Sequence, residues 1–90
     1  MKLVINKCFG GFSVNDNIVE MLNLESRYDL EDDRTNAKLI ELIESGVNVN
    51  SRFSNLAVVE IPEDATDYVI EEYDGCEHIL YVLDGKIKRV

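Results

Sequence analysis

Tyr68-Val69-Ile70-Glu71-Glu72-Tyr73-Asp74-Gly75-Cys76-Glu77-His78-Ile79-Leu80-Tyr81-Val82-Leu83-Asp84-Gly85-Lys86-Ile87-Lys88-Arg89-Val90 is the stretch whose reading decides the fold. From Tyr68 to Tyr73 the residues alternate, with Tyr68, Ile70 and Glu72 on one side and Val69, Glu71 and Tyr73 on the other. Asp74-Gly75 is a dipeptide favoured in tight hairpin turns, because both positions accept a positive φ. Cys76 to Leu83 forms the next strand, Asp84-Gly85 repeats the turn signal, and Lys86 to Val90 closes the chain. Two such turns in succession predict an antiparallel meander of three strands.

Working upstream, Leu56-Ala57-Val58-Val59-Glu60-Ile61 is a short, nearly continuous β-branched run of the kind found in central strands. Pro62 stops it by removing a ladder donor. Lys2 to Cys8 is a further strand, with Leu3 and Ile5 on one side and Val4 and Asn6 on the other. It is placed beside Leu56 to Ile61. Phe9-Gly10-Gly11-Phe12 then reads as a sharp glycine turn anchored by two phenylalanines. Ser13 or Asn15 caps a short helix with Ile18, Val19 and Leu22 inward, ending near Leu24. Ser26 to Asp33 is a loop pinned by Tyr28 and Leu30. A second helix is capped by Asp33 or Thr35, buries Leu39, Ile40, Ile43 and Val47 at three-and-four spacing, and stops at Gly46. The expected architecture is α+β: one domain over residues 1–90, an antiparallel sheet of four to five strands, two helices packed on one face.

Charge narrows the partners. Eighteen acids against nine bases give a net charge of −9. Lys86, Lys88 and Arg89 fall within the last five residues, so residues 1–85 hold six bases and eighteen acids, a net −12. No base lies between Arg52 and Lys86, an interval with nine acids. Such a surface repels nucleic acid directly and favours basic proteins. No apolar run reaches the ~20 residues of a membrane span, and no secretory signal is evident. Two distant cysteines without paired spacing do not form a disulfide framework. A cytoplasmic location follows as the expectation.

Four chemistries compete. The glycine turn is a candidate anion cradle with the first-helix amides, although it lacks the glycine spacing and lysine of a phosphate loop. Cys76 and His78 are two apart and project from one strand face. With Cys8 and a carboxylate they are candidate zinc ligands. A Cys–His nucleophile has no orienting partner or oxyanion hole in the sequence, so no enzymatic activity is expected. The acids Glu60, Glu71, Glu72, Asp74 and Glu77, with Tyr73 among them, combine carboxylates and an aromatic in the manner of a docking face. The final strand, if it leaves an open edge, is a place for a second copy to make a homodimer.

INKCFGGFS from Ile5 to Ser13, Asp33-Arg34-Thr35 before the second helix, VVEIPED from Val58 to Asp64 and IEEYDG from Ile70 to Gly75 occur in this order. Together they resemble a family of small uncharacterised proteins encoded by bacteriophages and prophages. Cys76, His78 and the basic tail depart from that pattern. The resemblance implies a protein acting in the cytoplasm of a bacterial host cell. Joined to the nine-acid, base-free interval, that context leads to the expectation of an inhibitor of host defence, with a CRISPR effector nuclease as the basic partner (an anti-CRISPR role). The alternatives are a sponge for a nucleotide defence signal and a zinc-stabilised interaction domain.

Overall fold

A computed structural model describes all residues, Met1–Val90. Five strands and two helices run in the order β1 (Lys2–Asn6), α1 (Asp16–Met21), α2 (Ala37–Glu44), β2 (Leu56–Glu60), β3 (Asp67–Tyr73), β4 (Cys76–Leu83) and β5 (Lys86–Arg89). A short 3-10 helix, Asp29–Asp32, interrupts the loop between the helices. The α+β architecture therefore stands. The strands are divided between two antiparallel sheets, β1-β2 and β3-β4-β5. No helix is long and apolar enough to cross a membrane.

β1 lies between two cores. Its residues Leu3, Val4, Ile5 and Asn6 are all fully buried. Alternation sends Leu3 and Ile5 towards the meander, where they pack with Ile61 and Ile79 and against Tyr68, Ile70 and Tyr81. Val4 points the other way, into a cluster with Phe12, Val14, Ile18, Leu30, Leu39, Val49 and Leu56 that carries both helices. The result is three layers: helices, the β1-β2 pair, and the meander.

The two sheets stay separate because the free edge of β1 is satisfied by other groups. The Val4 amide donates to the Arg34 carbonyl at 2.8 Å, and the Asn6 amide donates to the Glu77 carboxylate at 2.7 Å. A carboxylate and a loop carbonyl thus take the place of a neighbouring strand's backbone, and the ladder does not continue. On its other edge β1 pairs β2 in register from Lys2↔Glu60 to Asn6↔Leu56.

Local signals explain the element ends. Asn15 and Asn36 cap the helices, their side chains accepting from the Ile18 and Leu39 amides at 3.0 Å each. The second cap is Asn36, one residue beyond Thr35, and α1 ends at Met21, short of Leu24. Leu30 pins the interhelical loop from the core, whereas Tyr28 is exposed. In that loop Asp29 accepts from the Glu25 amide and the Ser26 hydroxyl, which holds its carboxyl below its ordinary pKa. Lys2 reaches Glu44 of α2 at 2.7 Å, and that hydrogen-bonded carboxylate raises the ammonium pKa.

Candidate docking site

The β3–β4 turn is the centre of the candidate site. Asp74 and Gly75 have φ of 53° and 86°, the positive values that a two-residue hairpin turn requires. The loop after β1 docks directly on it. Gly10 donates its amide to the Asp74 carbonyl at 2.9 Å, and the Asn6 side chain donates to the Gly75 carbonyl at 2.7 Å. A Cβ on Gly75 would collide with the Gly10 carbonyl, so this turn is buried against the loop and has room only for glycine. Gly11 donates to the Phe53 carbonyl at 3.1 Å, which ties a third loop to the same junction.

This clamp presents an aromatic pair to solvent. Phe9 and Tyr73 meet edge to face, with ring centroids 6.4 Å apart and planes at 74°. They are 71% and 74% exposed, unusual for rings of this size on a small domain. Phe53, on the adjoining loop, adds a third exposed ring. Glu71, Glu72 and Asp74, the chain neighbours of Tyr73, add exposed carboxylates, Glu71 on the same face of β3 as Tyr73 and Glu72 on the other. Glu72 is held in place by accepting the Gly75 amide at 2.9 Å, and Glu71 contacts the His78 ring at 2.9 Å.

The other expected docking residues lie elsewhere. Glu77 is not on the surface: it is 7% exposed and forms a two-pronged pair with Arg34, both contacts at 2.8 Å. Its position follows from alternation, since Glu77 shares a β4 face with Ile79 and Tyr81 and so points inward. Arg34 lies 4.0 Å over the Phe12 ring and also donates to the Glu31 and Val4 carbonyls. Glu60 is exposed, but it sits opposite Lys2 at the far end of β1 from Asn6. Four residues of strand, ~13 Å at ~3.3 Å per residue, separate it from the turn.

The remaining candidates are also dispersed. No group of three or more His, Cys, Asp or Glu side chains is arranged to hold a metal, so Cys8, Cys76 and His78 are not gathered as ligands. The Cys8 thiol contacts Asn6 Oδ1 and the Phe53 carbonyl at 3.6 and 3.5 Å. Cys76 stands across from Tyr73, and His78 lies between Glu71 and Arg89. The glycine turn has no amides to spare for an anion, because Gly10 and Gly11 donate to Asp74 and Phe53.

Phe53 and Arg34 were not legible as site or framework residues, and the expected anchoring of the glycine turn by two phenylalanines holds for Phe12 alone. Phe9 and Phe12 flank the same glycines, yet Phe12 is buried and Phe9 is exposed. Only the docking of the loop on Asp74-Gly75 separates them. Compared with protein-family models, curated proteins and solved structures, the chain has no match.

Proposed function

We propose that this chain is a non-enzymatic binding protein that docks its acidic β3–β4 turn on a basic, nucleic-acid-binding surface of another protein. The exposed Phe9–Tyr73 pair, with the exposed carboxylates of Glu71, Glu72 and Asp74 next to Tyr73 in the chain, carries this reading. Aromatic anchors held on a rigid platform bury area at little entropic cost, and surrounding carboxylates pair with lysines and arginine forks. The clamp between Gly10, Asp74 and Phe53 supplies the rigidity. The likeness of INKCFGGFS and IEEYDG to phage proteins makes a host defence nuclease of the CRISPR type the partner class. Blocking it requires only occupation of a channel meant for phosphates.

Retention of the protein on a panel of CRISPR effector nucleases, at low and high salt, tests this. Binding to at least one effector at low salt, weakened by added salt, is the expected result. Tyr73→Ala then loses about 2 kcal/mol, roughly 30-fold in affinity, while Glu60→Gln at the far end of β1 changes nothing. Absence of binding across the panel, or a Tyr73→Ala variant that binds as well as the parent, overturns the proposal.

A further inference from the structure

The outer face of the meander has no layer over it. The inner face buries Ile79 and packs Tyr68, Ile70 and Tyr81 on β1. On the opposite face Val69, Leu80, Val82 and Ile87 line one shallow apolar groove, with Val69 53% and Ile87 74% exposed. This groove crosses all three strands, since Val82 stands between Asp67 and Ile87, and Leu80 between Val69 and Arg89.

Charge is polarised across that face. Asp67 and Glu71 lie on the β3 side, and Arg89 lies on the β5 side. The guanidinium of Arg89 has one partner, the His78 ring nitrogen at 3.2 Å, so most of its donors face solvent. Lys86 and Lys88 stand opposite Leu83 and Tyr81 and so alternate to the other face, which leaves Arg89 as the one Lys or Arg on this face.

We infer that the face is covered by a second copy of this chain, packed sheet on sheet about a two-fold axis parallel to the strands. That operator places β3 of each copy over β5 of the other. Arg89 of the second copy then lies over Val69, between Asp67 and Glu71, and the apolar stripes meet in the middle. A two-fold axis perpendicular to the strands and centred on Val69 and Leu80 would instead set β3 over β3, with Asp67 of one copy over Glu71 of the other. Edge pairing of β5 with its own copy would bring Lys86 and Arg89 of the two chains together, and like charges directly opposite are unfavourable. Aligned sheet packing at ~10 Å separation is the ordinary geometry for two such faces. Both copies run in the same direction under this operator, so both Asp74-Gly75 turns emerge at one end. The dimer does not rest on the docking role.

Sedimentation equilibrium on the full chain, across micromolar to submillimolar concentrations, tests the arrangement. The expected mass is twice the 10.3 kDa of the monomer. Ile87→Asp, at a solvent-exposed position, shifts the equilibrium to monomer with the circular dichroism spectrum unchanged. Glu71→Arg and Arg89→Glu each weaken the dimer about tenfold by setting like charges against one another. The double exchange restores it. Monomer at all concentrations overturns the inference, as does a dimer indifferent to Ile87→Asp or one that the double exchange fails to restore.

Discussion

Arg34 and Glu77 form the most deeply buried ion pair of this fold. The carboxylate closes two contacts to the guanidinium and one to the Asn6 amide, joining β1, β4 and the segment before α2. Both side chains are largely withdrawn from water, at 12% and 7% exposure. Removing one partner leaves the other charge buried without compensation, a cost of ~3–5 kcal/mol. Glu77→Ala is therefore expected to lower the melting temperature by well over 10 °C, given ~4–8 °C per kcal/mol in a domain of this size. Arg34→Met combined with Glu77→Leu recovers only part of the loss, because it removes the uncompensated charge but leaves the buried Asn6 amide without an acceptor. Thermal melts of the single and double variants check this. The sequence pointed to Glu77 as surface because it sits among acids. Its strand parity with Ile79 argued the opposite, and parity prevailed. No local signal distinguished Arg34 from the other bases, since its partner lies 43 positions away.

At the scale of elements, turn chemistry was the most legible part. Asp74-Gly75 and Asp84-Gly85 both adopt the positive φ values that their composition implies, and β4 begins and ends where those dipeptides place it. The alternation in β1 correctly divided Leu3 and Ile5 from Val4, and β1 pairs β2 as its apolar pattern required. The division into two sheets was not legible, because it depends on which distant group satisfies the Asn6 amide. The two hairpin glycines also differ in a way that sequence hides. Gly75 abuts the Gly10 backbone, whereas nothing lies within 4 Å of a Cβ built on Gly85. Gly85→Ala is expected to cost about 1 kcal/mol from its backbone conformation alone. Gly75→Ala adds a backbone collision and costs at least ~2–3 kcal/mol, in the range of special-φ strain plus overpacking. Urea denaturation of the two variants side by side measures the difference.

For the molecule as a whole, stability is graded outward from β1. Leu3 to Asn6 are fully buried on both faces, the β1 ladder with β2 spans five pairs, and its opposite edge is closed by Arg34 and Glu77. At the other extreme β5 is an edge strand with every residue exposed. Amides of Val4 and Asn6 are expected to exchange only on global unfolding, and those of β5 at least tenfold faster through local opening. Native-state hydrogen exchange followed by NMR reads both. The same burial has a consequence during synthesis. Ile5 pairs with Ala57, about fifty residues later in the chain. At ~5–20 residues per second that is an interval of several seconds before β1 meets β2, and longer before Ile79 arrives. Throughout it, Leu3 and Ile5 have none of their packing partners, since Ile61, Ile79 and the residues around them all come later in the chain. Lys2 and Lys7, the two bases that bracket Leu3-Val4-Ile5, are the only charges there to discourage nascent chains from pairing with one another.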